Sequence, residues 1–224
     1  MKRKIGTITI GQSPREDVIG EMRDILGDNI EILQAGALDG LTNDEILQFV
    51  PKEGDFVLVS KLKDGLSVKF GESYILPRLQ KCVEKLDAEG AELIVFICTG
   101  KFPTIFNTQK LLLYPQTILH AVVPRLAPHS HIGVLNPDRD QVRQCLELWG
   151  QSVEKVEAVV GSPYGDIAEV IQAAEELRKQ DVDVIVMDCI GYTVEMKRIV
   201  QNITGKPVIL ARTLVARIVR EMMD

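Results

Sequence analysis

Residues 79–100 and 170–191 align without a gap. Glu84 falls on Glu175, Leu86 on Leu177, Ile94 on Ile185, Val95 on Val186, Cys98 on Cys189 and Gly100 on Gly191, a constant offset of 91 residues. Each copy reads as a helix, a tight turn, a buried strand and then Cys-x-Gly. All α/β units share apolar patterning, but that does not account for cysteines matched at the two strand ends, so duplication is the better reading. The starts of the halves agree as well. Ile5-Gly6 with Ser13-Pro14 resembles Ile132-Gly133 with Asn136-Pro137, at an offset of 127 residues. The larger offset assigns the first half an insertion of about 36 residues, placed at 37–70. Two α/β lobes are expected, one of residues 1–112 plus 211–224 and the other of residues 113–210.

The periodicities fill in this frame. Ile5–Ile10, Ile30–Leu33, Leu93–Ile97, His131–Leu135, Val153–Val159, Val184–Met187 and Pro207–Leu210 are short, β-rich apolar runs. Between them lie amphipathic stretches, among them Tyr74–Ala88, Gln116–Leu126, Pro137–Leu148, Ser162–Lys179 and Thr193–Asn202. Alternation of this kind predicts parallel sheets with helices on both faces. Ser13-Pro14-Arg15-Glu16 predicts a capping box with Pro at the first helical position, followed by a stripe of Val18, Ile19, Met22, Ile25 and Leu26. The last helix carries Leu214, Val215, Ile218, Val219 and Met222 on one face. Phe56–Ser60 and Leu66–Phe70 flank Lys63-Asp64-Gly65, a hairpin signal inside the insertion. That hairpin is read either as a lid over a cleft or as a dimer contact.

Charge and composition narrow the function. The formal net charge of −6 argues against a broad basic face for nucleic-acid phosphates. The N-terminal Met1-Lys2-Arg3-Lys4 runs into a strand with no signal-peptide core, and no apolar run reaches membrane-spanning length. A cytoplasmic protein with reduced thiols is expected. The four cysteines, Cys82, Cys98, Cys145 and Cys189, form no CxxC pair and have no zinc spacing. His120, His129 and His131 lack ligand spacing on one face, so no metal is expected. No P-loop and no GxGxxG follows a strand.

The chemistry therefore centres on two thiols. In open parallel sheets ligands bind beyond the carboxyl ends of the strands, where Cys98 and Cys189 both fall. Two thiols on opposite sides of a carbon exchange its proton without a cofactor, one abstracting and the other delivering. The competing reading is that both are small buried hydrophobes, as free cysteines usually are; Cys82 and Cys145, at apolar helical spacing, are read as core. Gly100 and Gly191 would let backbone amides approach a ligand carboxylate, and Lys101 would favour an ionised Cys98. Asp188 would oppose ionisation of Cys189 only if it pointed the same way. The turn Gly11-Gln12-Ser13-Pro14-Arg15 is a candidate anion site, with Arg15 as a bidentate clamp. Thr213 is a similar candidate, and Arg212 reads equally well as a surface cap.

Thr7-Ile8-Thr9-Ile10-Gly11-Gln12-Ser13-Pro14-Arg15-Glu16-Asp17-Val18 and Asp188-Cys189-Ile190-Gly191-Tyr192 resemble the two signatures of the AroM family, over essentially the full length. More distantly, the layout is similar to the aspartate/glutamate racemase superfamily, which includes amino-acid and hydantoin racemases, maleate isomerases and decarboxylases. That resemblance implies two pseudo-symmetric Rossmann-like lobes, a final helix packing back on the first lobe, catalytic cysteines at Cys98 and Cys189, no cofactor and a homodimer. Cys98-Thr99-Gly100 and Asp188-Cys189-Ile190 depart from the Cys-Asn-Thr and Gly-Cys-Thr usual in racemases, and an Asn that helps hold substrate carboxylate is missing. The expected activity is a racemase or isomerase acting on a small carboxylate-bearing molecule in an interlobe cleft. Ser13, Arg15, Thr99, Gly100, Gly191, Tyr192 and Thr213 would hold the substrate. The alternatives are a non-catalytic small-molecule binding protein on the same scaffold and a single-thiol decarboxylase or cis–trans isomerase.

Overall fold

The structure, a computed structural model, describes residues 2–126 and 131–224. The chain divides into two compact units, Met1–Gln116 with Val219–Asp224, and Thr117–Ile218. The first unit holds β1 (Arg3–Thr9), α1 (Glu16–Leu26), β2 (Ile30–Gly36), α2 (Asn43–Leu47), β3 (Val57–Lys61), β4 (Ser67–Gly71), α3 (Leu76–Ala88), β5 (Leu93–Phe96) and β6 (Leu111–Leu113). The second holds β7 (His131–Asn136), α5 (Val142–Trp149), β8 (Lys155–Val160), α6 (Ile167–Arg178), β9 (Val184–Met187), α7 (Val194–Thr204) and β10 (Val208–Leu210). The division falls inside α4 (Pro115–Leu126) and α8 (Ala211–Met223). Among the described residues, no helix is long and apolar enough to cross a membrane.

Each unit carries one parallel four-stranded sheet, in the order β2-β1-β5-β6 in the first and β8-β7-β9-β10 in the second. The topologies are the same strand for strand. The 91-residue offset carries β5 onto β9 and the start of α3 onto the start of α6. The match reaches individual hydrogen bonds. Glu92 and Asp183 each donate a backbone amide to the central strand, to Lys4 O (2.8 Å) and His131 O (2.7 Å). Each then accepts the amide of that same residue on its carboxylate, at 3.1 and 3.0 Å. Gly6 of β1 and Gly133 of β7 are the places where a helix leucine sits directly on the sheet. A Cβ there would lie 3.0 Å from Leu86 Cδ1 and 2.8 Å from Leu177 Cδ2, so only glycine lets α3 and α6 pack this closely.

The insertion lies between β2 and α3. β3 and β4 form the expected antiparallel hairpin, closed by Leu62 N–H donating to Leu66 O and by Gly65 at φ +91°. Leu58, Leu62, Val68 and Phe70 are buried with Ile8, Ile10, Leu38, Ile75 and Phe96. The hairpin is therefore part of the first unit's core, because its inward face alternates apolar residues at the strand period.

Several local expectations are corrected. α1 starts at Glu16, and the Ser13 side chain does not cap it. Ser13, which precedes a cis peptide bond to Pro14, donates both its amide (2.7 Å) and its hydroxyl (2.5 Å) to Asp39 instead. A capping box is present at α2, where Thr42 and Glu45 cap reciprocally. Neither α2 nor β6 was expected. Asn136 does not cap a helix; it is the buried last residue of β7, and α5 begins only at Val142, after a short 3-10 turn capped by Asp138. In α8 the buried face holds Ala211, Val215, Ala216, Val219 and Met223, whereas Met222 is exposed.

Candidate functional site

Cys98 and Cys189 follow the carboxyl ends of β5 and β9, each partly buried. In each unit the parallel strands carry the cysteine segment past the carboxyl edge of its own sheet: Ile97 N–H donates to Ile8 O (2.8 Å) in the first, and Asp188 N–H to Leu135 O (3.0 Å) in the second. Beyond that point each chain turns back on its cysteine. The amide of Gly100 donates to Cys98 Sγ at 3.3 Å, and the amide of Gly191 donates to Cys189 Sγ at 3.3 Å. The glycine amides are thus aimed at the sulfurs, and an N–H aimed at sulfur stabilises negative charge there.

The covering of the two turns differs. A Cβ on Gly100 would lie 2.9 Å from Leu58 Cδ2 and 3.3 Å from Phe102 Cζ, whereas one on Gly191 would lie 2.5 Å from the Tyr164 hydroxyl oxygen and 2.7 Å from its ring. Tyr164 is a residue the sequence reading missed; its hydroxyl lies 3.7 Å from Cys189 Sγ. Only the strand–link–helix context around it could have drawn attention to it.

In the first unit Arg15 is 6% exposed. Its Nε and Nη2 hold the two Asp17 carboxylate oxygens at 2.8 Å each, and Nη1 reaches Ser60 Oγ at 3.4 Å. The bidentate clamp is there, closed on the chain's own half-exposed carboxylate. Ser60 and Leu58 sit two apart on β3, so one face of that strand meets both the Arg15 turn and the Cys98 turn. Gln12 Oε1 accepts the Lys63 amide at 3.0 Å, tying the hairpin to the β1–α1 turn. An open groove of about 490 Å³ beside them is lined by Arg15, Asp17, Lys61, Lys63 and Asp64. A larger groove of about 770 Å³, lined by Arg139, Leu146, Ala158 and Glu176, includes neither cysteine turn.

Other candidates make internal hydrogen bonds. Tyr192 is fully buried and donates its hydroxyl to Gly161 O at 2.7 Å. Burial first, then the neighbouring Cys189, Tyr164, Asp188 and Glu169, hold its phenol well above the usual tyrosine range. Thr213 is buried and donates to Leu210 O at 3.2 Å, so it closes the β10–α8 junction. Arg212 is no surface cap: it is 1% exposed and donates to Ile190 O (2.9 Å) and Gly191 O (3.0 Å), clamping the Cys189 turn from below. Asp188 Oδ2 accepts the indole N–H of Trp149 at 2.9 Å. Thr99 is half-buried and Lys101 exposed. Cys82 and Cys145 are core thiols, pushed up by burial to about 11 and about 12. His120 stacks on Trp149 with ring centroids 3.8 Å apart, His131 Nδ1 lies 3.7 Å from an Asp181 oxygen, and His129 lies outside the described residues. Among the described residues, no three His, Cys, Asp or Glu side chains form a metal-binding group.

Two copies of a β2-β1-β5-β6 sheet, each followed by a Cys-x-Gly turn, make an α/β protein whose fold is duplicated within one chain. The chain belongs to the AroM protein family, which matches residues 5–223. No curated protein matches the sequence. Among solved structures, a maleate cis–trans isomerase from Nocardia farcinica bound to TRIS is similar at a TM-score of 0.64 and 17% identity, covering 98% of this chain and 92% of that one. The glutamate racemase from Thermus thermophilus in complex with β-chloro-D-alanine reaches 0.63 at 15% identity, covering 99% and 80%. The aspartate racemase from Picrophilus torridus reaches 0.57 at 13% identity, covering 99% and 94%. At these identities the likeness is one of fold.

Proposed function

We propose that this protein is a racemase or isomerase of a small carboxylate-bearing molecule, with Cys98 and Cys189 exchanging a proton at one substrate carbon. The observation that carries the reading is the repeated turn, in which each thiol follows the carboxyl end of an equivalent strand and accepts the amide two residues on at 3.3 Å. A thiolate removes the proton from one face and the opposite thiol returns one to the other, so the substrate is inverted with no net proton change. Arg15 binds the substrate carboxylate in exchange for Asp17, and Thr99 adds a polar contact beside the first thiol. The racemase and isomerase names of the similar structures support carboxylates as the substrate class.

The test is solvent-isotope exchange. The protein is incubated in D2O with aspartate, glutamate or maleate, and NMR follows loss of α-proton signals or conversion to the trans diacid. Deuterium wash-in that disappears in both Cys98→Ser and Cys189→Ser is the expected result. An exchange activity that survives both substitutions overturns the reading. Loss in one variant alone points to single-thiol chemistry. A stabilising ligand without turnover points to a binding protein.

A further inference from the structure

We infer that Tyr164 is the positioning residue of Cys189, donating its hydroxyl proton to the sulfur and favouring its ionised form. The inference rests on reading Cys189 as a reacting thiol, but it concerns a property of the free protein. Tyr164 lies in the link 161–166 between β8 and α6, the place at which the first unit carries its insertion. The link is pinned at three points: Tyr192 donates to Gly161 O at 2.7 Å, the Ser162 amide to Glu169 Oε2 at 3.2 Å, and the Tyr164 amide to Ser162 Oγ at 3.2 Å. The phenol is therefore held before any ligand arrives, with its hydroxyl 3.7 Å from Cys189 Sγ and its ring over Gly191.

The sulfur thus receives the Gly191 amide from its own turn and the phenol from the link. At the equivalent place over Gly100 the insertion supplies the Leu58 side chain, which is hydrocarbon. The repeat keeps the turn and changes its cover. Other groups around Cys189 hold partners of their own. Asp188 accepts from Trp149, Tyr192 donates to Gly161, Arg212 donates to the carbonyls of Ile190 and Gly191, and Glu169 accepts from Ser162. The phenol is a side chain through which the link reaches the sulfur.

The experiment is alkylation by iodoacetamide across pH 5–10, quantified cysteine by cysteine by mass spectrometry, on the wild type and Tyr164→Phe. Phenylalanine keeps the ring over Gly191 and removes only the hydroxyl. A lost hydrogen bond to the thiolate slows Cys189 alkylation at neutral pH by about two- to tenfold, the range being widened by the higher intrinsic nucleophilicity of a more basic thiolate. The expected result is a Cys189 profile displaced to higher pH in the variant, with the wild-type rate regained or exceeded at the alkaline end. The Cys98 profile is unchanged, and Cys82 and Cys145 are unreactive. Superimposable profiles overturn the inference, as does a rate change equal at every pH, which marks the ring as a steric cover only. Alkylation needs no turnover, so failure here leaves the isotope-exchange result untouched, and the converse also holds.

Discussion

At the residue scale, the second thiol turn is supported by two buried polar side chains whose work is internal. Tyr192→Phe removes the proton that satisfies Gly161 O. A loss of about 1–3 kcal/mol, measured by urea unfolding, is expected for a buried carbonyl left without its donor. Arg212→Met strips donors from the carbonyls of Ile190 and Gly191 together. A larger loss, about 3 kcal/mol or more, is expected, with altered Cys189 alkylation and little change at Cys98. An unchanged stability in the Arg212 variant would show that the turn holds itself. These roles could not be read from the string Asp188-Cys189-Ile190-Gly191-Tyr192. Whether a tyrosine next to a cysteine faces the ligand or the core depends on which strand end it leaves and what packs beneath it.

At the element scale, the duplicated helix–strand units are fixed by repeated close approaches. Gly133→Ala pushes a methyl into Leu177 of α6, and Gly6→Ala does the same against Leu86 of α3. Each is expected to destabilise by about 1–3 kcal/mol as an overpacked core contact, visible as a lowered Tm. The insertion behaves as core rather than as an appendage. Phe70→Ala, at a fully buried position among Ile8, Leu58 and Phe96, is expected to cost about 3–5 kcal/mol in chemical denaturation. A near-neutral result would return the hairpin to the role of a loose lid. The motif Ser/Thr-x-x-Glu occurs at both 13–16 and 42–45. Only the second caps a helix, because Asp39 takes the Ser13 hydroxyl across 26 residues of sequence. α2 carries that same motif, and its five residues are too few to show a helical periodicity.

At the scale of the whole molecule, stability follows the core thiols at alkaline pH. Folded Cys82 and Cys145 hold their protons to about 11 and about 12, whereas unfolded thiols ionise near 8.5. From about pH 9 upward the unfolded chain binds fewer protons than the folded one, so stability falls as pH rises, and below that range the contribution is fully present. Each thiol contributes about 1.4 kcal/mol per pH unit within the window. Urea midpoints between pH 8 and 11 should fall steeply in the wild type and less steeply in Cys82→Ala and Cys145→Ala. A flat profile would place those thiols at the surface. Removal of α8 takes buried side chains from both units at once, Val215 and Ala216 from one and Val219 and Met223 from the other. A chain ending at Leu210 is expected to lose cooperative unfolding.

By itself the sequence determined the repeat, the parallel sheets, the place of the insertion and the two thiols at strand ends. These are set by periodicity and by residue types at a constant spacing, which are local and survive in one dimension. The tertiary structure alone decided what each polar side chain serves. Ser13 belongs to Asp39, Arg15 to Asp17 and Ser60, Tyr192 to Gly161, and Tyr164 to Cys189. A hydroxyl or guanidinium takes the partner that packing brings within hydrogen-bonding reach. That distance is fixed by how strands, links and helices pack, and no spacing along the chain encodes it.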